Sequence, residues 1–544
     1  MVLHEGDMTS QMALAMGGVE DLLAAGGMDL RDVSRLVVYV TDVDAALAAY
    51  GAITERLEAL DATPPTTLVE VTRLALPAWP SRSTPPPAAD PSPATPEGPP
   101  VTTSTAPAAL LPGDPAFAAA VAPFVTTLTP RPDLVVAARS PGDVVDAVRW
   151  AGAEGRPVTV QATGHQLLSD LAGSMLVSTR HLDTVRVDPE AHTAVVGGGA
   201  HWHQVIAASA PHGLAPICGS SSRVGVVGFS LGGGHGPLSR AFGTGADQVR
   251  RVRLVTADGV ERDVDTDREP ELFAALCGGK TGFGVVTQIE IALHPVARLY
   301  GGGIFFPGAA SPELLHAWRE WVATLPADTS SSIALLRLPP DPALPPPLQG
   351  QFVVHLRFAH LGSAEEGAAL LAPMRAVAEP IADMVDEMPF AAIDAIHADP
   401  TDPMPIWDES ATLSALPAEA VDALLAVAGP GVETPLVMAE LRQLGGAIAR
   451  GPERAFDAVA GRDAAFNLYA LAPMVPPLAG IAPAAARGVV DALRPWAIGG
   501  LPNFQGPASG GRLGALWDEE TLARLTAVRE QYDPTAMFRT IGLR

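Results

Sequence analysis

The run Val224-Gly225-Val226-Val227-Gly228-Phe229-Ser230-Leu231-Gly232-Gly233-Gly234-His235-Gly236 decides how this chain is read. Its glycines do not make a flexible linker, because apolar residues hold regular places between them. Glycine lets a backbone approach a ligand where a Cβ would collide. A glycine-rich turn that opens a helix also aims free N–H groups at an anion. A second turn lies upstream, Thr163-Gly164-His165-Gln166, after the apolar run Pro157-Val158-Thr159-Val160. Two backbone cradles suit a long, doubly charged ligand such as a dinucleotide.

The chain has 544 residues, which predicts two or three domains. Hydrophobic residues make up 48% and charged residues 17%, the composition of a soluble globular enzyme. A formal net charge of -25 argues against nucleic acid or an anionic membrane as partner. Cys218 and Cys277 stand in no ligand spacing, so neither a disulfide framework nor a cysteine-based metal site is expected. Lys280 is the single lysine. The N-terminus has no basic segment followed by an apolar core, and no apolar run is long enough to span a bilayer. The expectation is a cytoplasmic protein.

Along the chain, residues 1–77 have an α/β pattern: a helix over 8–25, a strand at Leu36-Val37-Val38-Tyr39-Val40, a helix near 44–60 and a strand at Thr67-Leu68-Val69-Glu70-Val71. Residues 78–113 are Pro-, Ala-, Ser- and Thr-rich and predict a disordered linker. Residues 130–298 alternate short strands and helices. Residues 299–490 combine longer strands with amphipathic helices, and the tail closes with a helix over 519–531.

Read together, these motifs make residues 130–544 resemble the berberine-bridge-enzyme-like branch of the FAD-linked oxidases, in the vanillyl-alcohol oxidase superfamily with its PCMH-type FAD-binding fold. The matching elements come in order: Ala138-Arg139-Ser140-Pro141-Gly142-Asp143-Val144, Gly164-His165, the run from Val224 to Gly236, Val255-Thr256-Ala257-Asp258-Gly259, Gly282-Phe283-Gly284-Val285-Val286-Thr287, and Tyr532-Asp533-Pro534-Thr535-Ala536-Met537-Phe538-Arg539. The resemblance implies an α+β protein with an FAD domain built from 130–300 and 495–544, and an antiparallel-sheet substrate domain over 301–494. It further implies a small-molecule alcohol or amine as substrate and dioxygen as oxidant. A flavin dehydrogenase using another acceptor is the alternative. Residues 1–77 resemble a truncated RidA/YjgF unit in which Thr66 stands where that group has its substrate-gripping arginine. That implies a non-catalytic module for oligomerisation or metabolite binding.

Site residues follow from the same resemblance. His165 corresponds to the histidine bonded to the flavin 8α-carbon, although Ala162-Thr163 departs from the usual residues before Gly-His. Some relatives add a cysteinyl bond; that position is Ser221 here, and Cys218 lies three residues too early. Thr163, Gly164, Gln166, Gly225, Val226, Gly228, Gly232, Gly233, Gly234 and Gly236 fall on the diphosphate loops, and Asp247, Val286 and Asn503 on other cofactor contacts. The tyrosine that often precedes the Asn-Phe pair is absent from Gly499-Gly500-Leu501-Pro502-Asn503-Phe504. Strand alternation puts Asn467 and Tyr469 on one face, and Tyr469 and Glu440 are the candidates for a general base; each could equally be structural. Gly279-Lys280-Thr281 imitates the end of a Walker A loop, but Ala274 replaces its leading glycine. His201-Trp202-His203 lacks a nearby acid or cysteine, and no metal site is expected.

Overall fold

The structure is a computed structural model that describes residues 36–40, 66–70, 106–166, 169–506 and 513–539. The chain divides into two units, Met1–Pro100 and Val101–Arg544. In the first, the strands Leu36–Val40 and Thr66–Glu70 pair in parallel, Val38 opposite Leu68. The remainder of the RidA-like reading lies outside the described residues, as do the linker residues 78–105.

In the second unit, Ser140 starts a helix, Pro141–Ala153, through a reciprocal cap. The Ser140 hydroxyl accepts the Asp143 N–H at 3.2 Å, and the Asp143 carboxylate accepts the Ser140 N–H at 2.9 Å. The helix buries Val144, Ala147, Val148 and Ala151, one stripe of a 3.6-residue period, against a three-stranded parallel sheet. That sheet has Met175–Ser178 between Leu134–Ala137 and Val158–Gln161. The tail returns to its edge. Val158 N–H donates to Met537 at 2.8 Å, Arg539 N–H donates to Val158 at 2.8 Å, and Met537 and Phe538 are buried in the same cluster. The Asp533 carboxylate fixes this hook by accepting the N–H groups of Met537 and Phe538 at 2.7 and 2.8 Å.

A five-stranded antiparallel sheet follows, in the order Val185–Asp188, Thr193–Gly197, Val285–Ala292, Val249–Val255, Glu261–Val264. The rest of the unit is dominated by a nine-stranded sheet whose two faces differ sharply. One face is apolar and covered by the helices Ser311–Trp321, Ala364–Arg375, Ala418–Ala428 and Ala482–Ala492; Ile333, Leu356, Leu441 and Leu468 belong to this core. Period-two alternation puts Ser332, Arg357, Glu440, Arg442, Asn467 and Tyr469 on the other face. No helix among the described residues is long and apolar enough to cross a membrane.

The linker expectation runs too far at its C-terminal end. Leu110 exchanges backbone hydrogen bonds with Val135 at 2.8 and 2.9 Å, and the short helix Phe117–Val121 packs beside the parallel sheet. Proline and alanine dominate this stretch by count, but the few larger apolar residues are enough to dock it. Phe538 makes a direct test of the tail's docking. Phe538→Ala should destabilise the protein by about 3–5 kcal/mol, measured as a lower urea midpoint; an unchanged midpoint would show that the tail does not contribute to this core.

Candidate functional site

The first turn is held from beneath. Gly164 adopts φ +71°, and its carbonyl accepts the Phe124 N–H at 2.7 Å. The Phe124 ring stacks on His165 with centroids 4.5 Å apart. Arg180 locks the approach by donating to Ala162 and Ala119 at 3.1 and 2.8 Å. The second turn opens the helix Val226–Leu231, with Gly225 as its cap and Phe229 edge-on to the buried Trp202 at 5.4 Å. The two turns touch: a Cβ on Gly225 would come within 2.7 Å of the Thr163 methyl. Among the described residues, the N–H groups of Thr163, Gly164, His165 and Gln166, and those of Val227 and Gly228, have no protein acceptor.

Lys280 ties both turns to the tail. The helix Pro270–Gly279 kinks at Cys277 and Gly278 and delivers Lys280 at φ +66°. Its ammonium donates to Asn503 Oδ1 at 2.9 Å, to the Pro502 carbonyl at 3.3 Å and to the Gln166 side chain. Gln166 donates to the Pro502 carbonyl at 3.1 Å, and Asn503 donates to the Phe229 carbonyl at 2.8 Å. Burial pulls the Lys280 ammonium down to about 7. Burial, reinforced by the charges of Lys280 and His201, lowers His165 to about 4, so its imidazole is neutral at physiological pH.

The other expected cofactor contacts divide by their surroundings. Gly228 is open, with nothing within 4 Å of a would-be Cβ. Gly232 faces Asn503 and Lys280, Gly234 faces the Phe229 ring, and Gly236 is pressed against the Cys218 carbonyl, so these three are required by packing as well. Gly233 takes φ +97°. Val226 is buried, and its N–H already donates to Ala200 at 3.0 Å. Ser221 accepts the Arg223 N–H at 3.3 Å, and burial pushes the neighbouring Cys218 thiol up to about 12. Val286 is buried at a register shift of its strand. Asp247 pairs with Arg462 at 2.7 Å and caps Thr244 at 2.8 Å. His201 precedes the helix Trp202–Ser209, its N–H donating to Gln204 Oε1 at 2.8 Å and its ring bonded to the Arg223 carbonyl 2.5 Å away. No group of three or more His, Cys, Asp or Glu among the described residues could hold a metal.

The polar sheet face carries the candidate bases. Across the strands, Arg357, Ser332, Arg442, Asn467 and Thr412 form one row; His355, Ala334, Glu440, Tyr469 and Ser410 form the next. Glu440 is a counter-ion. Burial alone would raise its carboxyl, but the charges of Arg442 and Arg357, with hydrogen bonds from Arg442 and Ser332, hold it at about 2. Tyr469 donates to Asp408 Oδ2 at 3.0 Å and lies edge-on to Phe504 at 5.3 Å. Burial raises the Asp408 carboxyl to about 6, and burial with the Asp408 charge raises the Tyr469 phenol well above its usual value. Asp408 escaped the sequence reading; its only signal was the polar alternation Asp408, Ser410, Thr412 within the strand Ile406–Leu413.

With this geometry in view, comparison is informative. Residues 132–265 match the family model of an FAD binding domain. The matched stretch is similar to FAD binding domains. It contains both glycine turns and His165. The chain is 33% identical over 170 residues to (R)-6-hydroxynicotine oxidase of Paenarthrobacter nicotinovorans, covering 31% of this chain and 37% of that protein. It is 32% identical over 208 residues to an FAD-dependent monooxygenase of Fusarium proliferatum, covering 37% of this chain and 40% of the relative. The chain therefore spans less than half the length of these curated relatives. In three dimensions it superposes on 6-hydroxy-D-nicotine oxidase of Arthrobacter nicotinovorans with TM-score 0.68 and 24% identity, over 81% of this chain and 98% of the other. A xylooligosaccharide oxidase of Myceliophthora thermophila gives TM-score 0.70 and 20% identity, over 81% and 97%. These likenesses show that the chain shares the mixed helix-and-sheet fold of those two structures. FAD fits the residues present: bare amides from two touching turns, an open Gly228 and a neutral histidine.

His203 and five more deeply buried histidines have depressed protonation. Burial takes His165, His235 and His294 to about 4 and His355 and His397 well below the usual value. Between about pH 6.5 and 4 the unfolded chain binds protons that the fold refuses, so stability falls with falling pH. Asp408 acts oppositely between about 6 and 3.8, one group against these histidines. The melting temperature should drop continuously from pH 7 to pH 5; a flat profile would contradict the buried neutral histidines.

Proposed function

We propose that the protein is an FAD-dependent oxidoreductase, and more narrowly an oxidase that takes hydride from an alcohol or amine C–H and passes the electrons to dioxygen, forming hydrogen peroxide. The observation that carries this reading is the pair of touching turns with bare N–H groups, with neutral His165 on one of them and Asn503 and Lys280 closing the other side. The printed names of the relatives, FAD-linked oxidoreductases and oxidases, support it.

Oriented N–H groups at Thr163–Gln166 positions and at Val227 and Gly228 would hold the diphosphate, their partial positive charge replacing water. A neutral His165 keeps an unprotonated ring nitrogen for a bond to the flavin 8α-carbon. Bound FAD would supply the hydride acceptor. The protein's own residues would manage the proton. Tyr469 Oη would accept the proton of a substrate hydroxyl while its own proton passes to Asp408 Oδ2 along the 3.0 Å bond. Asp408, at about 6, is mostly ionised at neutral pH and basic enough to accept it. Glu440, held by two arginines, orients that part of the face and is a poor base.

The test begins with colour. Purified protein should be yellow, its flavin should stay with acid-precipitated chain, and His165→Ala should release the flavin to the supernatant. A colourless protein that takes up no FAD would refute the reading. Turnover on a library of alcohols and amines should consume oxygen and yield peroxide one for one. Turnover with a dye but without oxygen uptake would make the enzyme a dehydrogenase.

On an accepted substrate, Tyr469→Phe and Asp408→Asn should each lower kcat by about 10²–10⁴ with flavin content unchanged. The wild-type rate should rise with pH through about 6 as Asp408 ionises, and Asp408→Asn should abolish that limb. Wild-type rates in both variants would remove the pair from the mechanism.

A further inference from the structure

Beside the Tyr469–Asp408 pair lies a small cleft of about 50 Å³, between the end of the second glycine turn and the polar sheet face. His235 comes from the turn, Ser332, Arg357 and Arg442 from the sheet, and His397 from the segment Phe390–Ile396 that precedes it. Glu440 is the one carboxylate paired with both arginines, through Arg357 Nη1 to Oε1 and Arg442 Nε to Oε2 at 2.8 Å. Asp399 reaches Arg442 only through space. His235, His355 and His397 are neutral. Within hydrogen-bond reach the two guanidinium groups share a single carboxylate.

Donors of these two groups point into the cleft unused. Among the described residues neither terminal nitrogen of Arg442 has a hydrogen-bond acceptor, although its side chain is only 13% exposed. Its Cζ lies 5.1 Å from the centroid of the Phe504 ring. Arg357 spends Nε on His355 at 3.2 Å and Nη1 on Glu440, leaving Nη2 without an acceptor. Both nitrogens of His235 and Nδ1 of His397 are also buried without partners. The unused arginine nitrogens keep some contact with solvent, and a guanidinium fork matches a carboxylate bidentately. Arg442 lies opposite Asn467 and Glu440 opposite Tyr469, so Arg442 is one row from the tyrosine, about 7 Å along the strand.

We propose that this cleft is a subsite for a carboxylate of the substrate, and that the protein oxidises an organic acid whose hydroxyl or amine carbon lies within a few bonds of that carboxylate. The proposal rests on the flavoenzyme reading above and narrows its substrate class. Arg442 anchors the carboxylate and Arg357 adds its free donor. The hydroxyl then reaches Tyr469. Hydride leaves the C–H for FAD and the O–H proton leaves for Tyr469, so a hydroxy acid becomes an oxo acid with atoms and electrons balanced.

The experiment is a calorimetric titration of the holoenzyme with mandelate and with mandelamide, which match in shape and differ by one charge. Wild-type protein should bind mandelate at least tenfold more tightly, and Arg442→Gln should bring the two within twofold. Arg442→Lys, which keeps the charge, should restore part of the preference, and circular dichroism should show each variant folded. Equal affinity in the wild type, no binding of either probe at millimolar concentration, or an intact preference in folded Arg442→Gln would overturn the proposal. The visible spectrum taken before titration reports flavin independently. A colourless protein that still prefers mandelate would sink the flavoenzyme reading while supporting the subsite.

Discussion

Backbone N–H groups need acceptors, and everything else in this protein is arranged around a place where the chain supplies none. In the loops at 163–166 and 227–228 the amides converge from two turns that touch at Thr163 and Gly225. Such groups are paired with protein, water or ligand, and a set aimed at one region favours an anion. Holding them there requires strain and support. Gly164 takes a positive φ, Phe124 stacks beneath His165, and Arg180 pins the segment that leads in. The single lysine of the chain closes the arrangement by joining Gln166 of the first turn to Asn503 of the tail, which in turn grips Phe229 of the second. Three stretches distant in sequence become one site through that knot.

The second constraint is the unequal sheet. Covering one face with helices forces the opposite face, with its arginines, carboxylates, asparagine and histidines, to be buried between this sheet and the glycine turns. Buried ions are expensive unless paired, and here pairing is incomplete. Glu440 is fully compensated, whereas Arg442 and Arg357 keep unused donors and Asn467 has no partner at either side-chain atom. Burial raises the Asp408 carboxyl to about 6 despite the hydrogen bond from Tyr469. Perturbed groups that cluster beside a cofactor-binding fold are where chemistry is expected.

Much of this was legible beforehand because it is local. Ser140-Pro141 announces a helix start, the alternation at Phe352–His360 announces a strand, and glycine spacing announces both turns. Other features were hidden for physical reasons. Asp408 meets Tyr469, 61 positions away, across a register that only the folded sheet defines. Arg357, Ser332 and Arg442 form a row for the same reason. Glu440 looked like a base because its two arginine partners could not be foreseen together, one of them 83 residues away. Lys280 resembled the end of a phosphate loop, yet its place is fixed by a kinked helix and by tail residues more than two hundred positions later. Residues 106–113 sat inside a linker by composition, although Leu110 pairs with Val135. The RidA-like reading falls outside the described residues apart from its two strands.

The central claim is that the two turns grip one dinucleotide diphosphate. A crystal structure of the protein with FAD tests it most directly. The account predicts diphosphate oxygens within hydrogen-bond reach of the amides at 163–166 and at Val227 and Gly228, about 2.7–3.2 Å from nitrogen. A diphosphate bound elsewhere, with those amides facing only water, would contradict it.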